Sequence, residues 1–413
     1  MFLQRFKSSY FGGFHPVVYT LLIGTIITTI ARSMSFPFLA IYLTQNTELS
    51  PGVIGSIIGL GPLAGTFGGF IGGALSDFVG RKKVVVFALL GISLSFVGFT
   101  YTTTPWLLAV LSVTNGLSGS FFAPVSKALM ADLTEESRRM RIFSLRYWTV
   151  NIGFVMGPML GALAGLSGSS QTFLIAAIVY FVYPLFLLML MRRFKVGEIT
   201  QTRGESFKLK EVLKVVVQDR VLRWFVLGGT LGIMVHGQMS VTLGQHLERE
   251  FTNGILMFST LLSINAFVVI VCQIPLAKWI EKRTPLFGVV LGALLFALGD
   301  LGFAFSTGWV LFIMSMVIFT IGEIFIIPSE YVLLDRITPE GMRGTYYGTQ
   351  TFTELGNFMG PWIGGMVLGS FGGSIMFIMF GSIALVSTLF FWRGQSVYAK
   401  RERQRAVSSV SSA

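Results

Sequence analysis

The chain has 413 residues, 53% of them hydrophobic and only 12% charged, with a mean hydropathy of +0.73. Soluble domains carry about 25% charged residues, so water is not the main solvent of this chain. The formal charge of +12 would suit a nucleic-acid binder, but the cations fall loop by loop on one side of a membrane, and the single cysteine, Cys272, allows no intrachain disulfide framework.

About 20 apolar residues cross a bilayer. Twelve such stretches follow one another at 16–44, 52–76, 84–102, 105–131, 142–165, 171–191, 223–246, 253–279, 286–306, 308–334, 345–370 and 373–392. The first is too long for a signal-peptide core and has no convincing cleavage site, so it reads as a retained helix. Cations sit before the first span (Arg5, Lys7) and after the second (Arg81, Lys82, Lys83), fourth (Arg138, Arg139, Arg141), eighth (Lys278, Lys282, Arg283) and tenth (Arg336, Arg343). Nine more lie between Arg192 and Arg223, and five from Arg393 onward, whereas the alternate loops hold only Arg249. The positive-inside rule then puts both termini in the cytoplasm of a multi-pass protein of the cell inner (plasma) membrane.

The chain divides into residues 1–192, a first six-helix bundle; 193–222, a cytoplasmic linker; 223–393, a second bundle; and 394–413, a basic cytoplasmic tail. Within the linker, Phe207–Val217 has the pattern of a short amphipathic surface helix. The halves repeat each other. Pro124 is followed by a charged loop and Asn151-x-Gly153-x-x-x-Gly157-Pro158-x-x-Gly161; Pro328 is followed by a similar loop and Glu354-x-Gly356-x-x-x-Gly360-Pro361-x-x-Gly364. Such repeats in a membrane chain point to a transporter with its site between the halves.

Between spans two and three lies Gly72-Gly73-Ala74-Leu75-Ser76-Asp77-Phe78-Val79-Gly80-Arg81-Lys82-Lys83. Small residues let helices approach, Asp77 ends one helix, Gly80 lets the backbone reverse, and the cations anchor the turn. This stretch resembles the loop-2/3 signature of the major facilitator superfamily, matching at Gly73, Leu75, Asp77, Gly80, Arg81 and Lys82 and departing at Ser76 and Phe78. The glycine-proline run Gly153, Gly157, Pro158 and Gly161 resembles the span-five motif of that superfamily's drug/proton antiporters. The same antiporters carry an arginine in span four, four residues before a glycine; here Ser112 stands before Gly116. The resemblance implies two pseudo-symmetric bundles, alternating access, and a conformational role for Gly73, Asp77, Gly80, Arg81 and Lys82.

Charges inside spans are costly and face a cavity or a partner. Arg32, Arg146, His236, Glu323 and Glu354 lie within spans, while Lys127, Asp300 and Glu330 are nearer helix ends. Glu323 is the preferred proton carrier, with His236 and Glu354 as further candidates, because a carboxyl or an imidazole can trade a proton for a passing substrate. Arg32, Arg146 and Asn151 are expected to set cavity charge, since a guanidinium stays charged. The repeat puts Gly119 at the position equivalent to Glu323. The chain has no phosphate loop, credible metal set or catalytic triad.

These features together read as a non-enzymatic, cofactor-free secondary transporter, a monomer that meets lipid, protons and a small molecule but no nucleic acid. Proton-driven efflux of amphiphilic drugs or toxic compounds is the expected activity. A carrier for a specific sugar, peptide or lipid is the alternative, and a non-transporting membrane sensor the weaker one.

Overall fold

Apolar runs in this chain form helices because a bilayer offers no water to satisfy the backbone, so each segment must pair its own amides and carbonyls. The computed structural model describes residues 13–135, 138–163, 168–196, 217–280, 282–338, 346 and 349–411, with the side chains of 69–79, 81 and some others inside helices not described. Among these residues there is no strand. The helices are α1 (Pro16–Ser35), α2 (Leu39–Asn46), α3 (Pro51–Val79), α4 (Arg81–Tyr101), α5 (Pro105–Asp132), α6 (Arg139–Leu163), α7 (Ser170–Arg193), α8 (Arg220–Met239), α9 (Thr242–Glu250), α10 (Gly254–Ile280), α11 (Pro285–Phe305), α12 (Trp309–Ile337), α13 (Gln350–Thr353), α14 (Gly356–Phe371) and α15 (Gly373–Ser411).

Ten of the twelve expected spans are long and apolar enough to cross a membrane; α6 offers a shorter apolar stretch, Trp148–Leu163, and α14 has 16 residues. Three spans are interrupted. The first breaks at the 3-10 turn Phe36–Phe38, where Pro37 cannot donate to the preceding turn. The seventh breaks without proline at Ser240 and Val241, between α8 and α9. The stretch expected as one helix over 345–370 is two. Asn357 N–H bonds to Glu354 C=O at 2.9 Å and Phe358 N–H to Leu355 C=O at 3.1 Å, a tightened 3-10 turn between α13 and α14. Helix α15 runs on from the last span through the basic residues of the tail to Ser411. The proposed surface helix over Phe207–Val217 lies outside the described residues apart from its last position.

By contacts the chain forms two units, residues 1–39 with 67–206, and 40–66 with 207–413. In the first, α1 packs on α6 and α7, and α4 packs on α5 and α7. In the second, α8 packs on α14 and α15, and α11 packs on α12 and α15. The same helix pairs therefore meet in both repeats. Glycine makes the first of these pairings possible. A Cβ on Gly157 would sit 2.7 Å from the Ile30 carbonyl oxygen, and one on Gly360 2.4 Å from that of Met234. The turn at Gly80 has φ +94°, a conformation side chains resist.

Candidate functional site

In the second unit, three helices converge on one carboxylate. His236 is the seventeenth residue of α8 and Glu323 the fifteenth of α12. His236 Nε2 lies 3.5 Å from Glu323 Oε1, and the side chains are 32% and 17% exposed, so the pair is open to solvent on one side. On its other oxygen Glu323 accepts from Asn265 Nδ2 of α10 at 2.9 Å. Asn265 also reaches Thr320 Oγ1 at 3.0 Å, which fixes the amide between two positions of α12 one turn apart. The ring of Phe319 stacks on His236 with centroids 6.4 Å apart. A group that holds its charge in a membrane span needs such a partner; here the partner is itself titratable. The arrangement can keep the proton on imidazole or carboxyl and pass it between them.

Two more acids flank this pair. Glu330, two turns along α12, turns its carboxylate toward α8, where a Cβ on Gly232 would lie 3.2 Å from Oε1 and one on Gly229 3.6 Å from Oε2. Both positions are glycine, and a side chain at Gly232 would press on the acid. Glu354 is exposed at the turn between α13 and α14 and accepts from Asn357 Nδ2 at 2.5 Å. It lies within electrostatic reach of His236 but is not a hydrogen-bond partner of it.

The first unit holds the basic residues. Arg32, seventeenth in α1, reaches Asn115 Oδ1 of α5 at 3.4 Å, and Asn115 Nδ2 donates to Ser95 Oγ at 2.8 Å. The guanidinium lies 4.9 Å from the Phe36 ring centre, a cation–π contact. Gly119, fifteenth in α5, is directly beneath it, since a Cβ there would be 3.8 Å from Arg32 Nη1. Arg146 interacts electrostatically with Lys127 and Tyr183, and its Nε is buried without a hydrogen-bond partner. Asn151 is half-buried five residues further along α6.

Gly153, Gly157 and Pro158 are buried, and the first two receive α1 at Thr29 and at Ile30 with Ser33; Gly161 is also buried. The second-unit copy packs in the same way, with Gly356 and Gly360 against α8. Of the loop-2/3 motif, Gly80 and Lys82 are described, whereas the side chains at Gly73, Asp77 and Arg81 lie outside the described residues. Sequence reasoning passed over Asn115, Asn265 and Gln238. Amides carry no charge, so charge placement misses them; their signal is a polar group in the middle of an apolar run.

A cavity of about 410 Å³ lies elsewhere, at the start of α8, lined by Asp219, Tyr346 and Arg401 among others. It is some 25 Å along α8 from His236 at 1.5 Å per residue. Its Asp219, Tyr346 and Arg401 are already bonded together.

The Major Facilitator Superfamily profile matches residues 21–354. The chain is 34% identical over 378 residues to the uncharacterized MFS-type transporter YqjV of Bacillus subtilis (strain 168), covering 91% of this chain and 92% of that protein. It is 27% identical to a protein of Planococcus maritimus named Na(+), Li(+), K(+)/H(+) antiporter, over 92% and 96% of the two chains. Multidrug resistance protein MdtH of Yersinia enterocolitica is 24% identical over 84% of each. Among solved structures, the nucleoside transporter NupG aligns with a TM-score of 0.79 at 15% identity, covering 92% of this chain and 99% of that one. At that identity the likeness is one of fold.

Proposed function

Because the chain belongs to the major facilitator superfamily, a family of multi-pass transporters, we propose that it is a proton-coupled exporter of amphiphilic, mainly cationic small molecules. It works by alternating access in the inner (plasma) membrane with both termini in the cytoplasm. The observation that carries this reading is the Glu323–His236 pair braced by Asn265. A carboxylate that is half of a titratable pair can release its proton when a cation approaches and take one up when the cation leaves. Glu354 adds a further carboxylate within electrostatic reach of His236, which favours a cationic cargo. The resemblance to MdtH supports drug-like substrates. The loop-2/3 motif at Gly73, Asp77, Gly80, Arg81 and Lys82 is assigned the conformational clamp. No covalent chemistry is assigned to the chain.

The test is reconstitution in liposomes under an imposed proton gradient, with ethidium as the probe cation. Wild-type protein concentrates ethidium against its gradient. Glu323→Gln keeps the shape and the Asn265 bond but cannot ionise, and should reduce accumulation to that of protein-free liposomes while leaving ethidium binding measurable. Accumulation by the variant would make Glu323 structural and move the coupling role to Glu354 or His236. A second reading, exchange of alkali cations for protons, is favoured by the Planococcus relative. In the same liposomes, sodium or potassium pulses that move protons when ethidium does not would select it. A carrier of one metabolite remains the reading to adopt if neither probe moves.

A further inference from the structure

The second unit holds another intramembrane acid that the Glu323–His236 pair does not use. Asp300, sixteenth in α11, has no solvent exposure. Its Oδ1 accepts from Gln238 Nε2 of α8 at 3.3 Å, and its Oδ2 is buried without any hydrogen-bond partner. Gln238 is in turn held by Thr242 across the break between α8 and α9, its Oε1 and backbone carbonyl accepting from Thr242 Oγ1 at 2.7 and 3.0 Å.

Packing does not require an acid or an amide here. In the first unit the sixteenth residue of α4 is Phe96 and the nineteenth of α1 is Met34, both buried. In the second unit the corresponding residues of α11 and α8 are Asp300 and Gln238. The repeat thus has apolar residues at both equivalent positions.

Among the described residues no cation faces Asp300. α15 presents Gly381, and α12 presents Phe319 against the neighbouring Gly299, while α8 presents Gln238. The titratable groups nearest on those elements are Glu323, one turn beyond Phe319 on α12, and His236, two residues before Gln238 on α8. A carboxylate with one neutral donor is costly in such surroundings; a carboxylic acid is not.

The unsatisfied polar atoms form a pattern. In the second unit, among the described residues, the buried side-chain atoms without hydrogen-bond partners belong to Asp300, Gln245 and His246. Gln245 has no exposure and leaves both amide atoms unpaired. His246 Nδ1 is unpaired among Phe251, Phe312 and Phe377, with Glu250 within electrostatic reach. Gln245 and His246 both lie on α9, on the far side of the interruption from His236. Buried polar groups are normally satisfied by protein or water, and the Gln245 and His246 atoms lie just beyond the break at Ser240–Val241.

We propose that Asp300 is a second proton-binding site of this carrier, occluded in the present conformation and reached from the α9 side past His246 and Gln245. The carboxylate takes a proton from water on that side, becoming a neutral acid as the segment closes, and returns it to water when the segment reopens. One O–H bond forms on the carboxylate as one breaks on the hydrated proton that donates it, the reverse happens on release, and no other bond changes. Because α8 carries both His236 and Gln238, protonation at Asp300 and at Glu323 both act on the position of this one helix. The site stands independently of the Glu323 assignment.

The experiment is infrared difference spectroscopy of the full-length protein in lipid across a pH titration, with aspartate carbon-13 labelled at the side-chain carboxyl. The expected result is a reversible, label-shifted acid C=O band that is lost in Asp300→Asn and retained in Glu323→Gln. The same band persisting in Asp300→Asn would overturn the proposal, as would its loss in Glu323→Gln. If Asp300→Asn does not fold, Gln238→Leu, which removes the one donor, should move the band's titration midpoint by about tenfold in proton concentration. An unmoved midpoint, or no titrating labelled band in the wild type, also overturns it. Either failure leaves the ethidium assay of Glu323 untouched.

Discussion

The two units meet the same structural problem at the same register and fill it with different chemistry. Where α1 passes α5, Arg32 lies above Gly119 and is held by Asn115 and Phe36. Where α8 passes α12, His236 faces Glu323. An arginine cannot lose its proton, so the first crossing carries a fixed charge; the second can change charge at either partner. The wider surroundings follow suit, with Lys127 and Arg146 in the first unit and Glu330, Glu354 and Asp300 in the second. A duplicated scaffold has kept its packing and divided its electrostatics, placing a titratable pair at one crossing and a guanidinium at the other.

The largest expected effect comes from erasing that difference. His236→Arg gives the second crossing the cation of the first while keeping Glu323 paired. The protein should fold, since the ion pair remains, yet proton-driven ethidium accumulation should fall to the level of protein-free liposomes. Accumulation at half the wild-type level or more would show that exchange does not need a titratable partner for Glu323.

Next come the glycines that the two units share. Gly157→Val and Gly360→Val each push a side chain into a backbone carbonyl of the facing helix. Overpacking of this kind costs about 1–3 kcal/mol, and both variants should melt lower by similar amounts in detergent. If the span-five motif is specifically part of exchange, Gly157→Val will abolish transport at temperatures where both variants are folded, and Gly360→Val will not.

The repeated glycine-proline runs, the twelve apolar stretches and the intramembrane acids were all legible in the sequence, because hydropathy and helix packing are local properties. Glu323 and His236 could each be picked out as expensive groups, but their meeting could not. They lie 87 positions apart, and only the crossing of α8 with α12 joins them. The breaks in the first and seventh spans were partly hidden as well. Pro37 signals one, whereas Ser240 and Val241 signal nothing by composition; that break accompanies the buried contact of Gln238 and Thr242 across it. The sequence places Asp300 near a helix end where solvation is easy, and its full burial depends on α8 and α15 covering it.

A smaller effect tests whether the first crossing can be converted. Gly119→Glu places an acid where the structure leaves room beneath Arg32. Measured with Arg32→Gln in a double-mutant cycle of melting temperatures, the new pair should show a coupling of about 0.5–3 kcal/mol, the range for residues in contact. No coupling would mean that Asn115 and Phe36 hold the guanidinium too firmly for it to turn.

The smallest effect concerns the starts of α1 and α8, which the units again cap differently. His15 Nδ1 accepts from Val17 N–H at 3.2 Å. In the second unit Asp219 Oδ1 accepts from the N–H groups of Val221 at 2.8 Å and Leu222 at 3.3 Å, while Oδ2 takes Tyr346 Oη at 2.7 Å and Arg401 Nη1 at 3.2 Å. Burial pushes the Asp219 carboxyl up, but the Tyr346 hydroxyl, the two backbone donors and the Arg401 guanidinium outweigh it and hold the group below its usual value. A carboxyl depressed by folding adds stability that is fully present above its unfolded pKa of about 3.9 and is lost as pH falls through the folded value. Asp219→Ala should therefore lower stability by about 1 kcal/mol at neutral pH, the usual worth of such a cap, and His15→Ala by less. The melting temperatures of wild type and Asp219→Ala should converge as the solution is acidified below about pH 4. A gap that stays constant across that range would assign the effect to lost packing around Tyr346 and Arg401 rather than to the charge that caps α8.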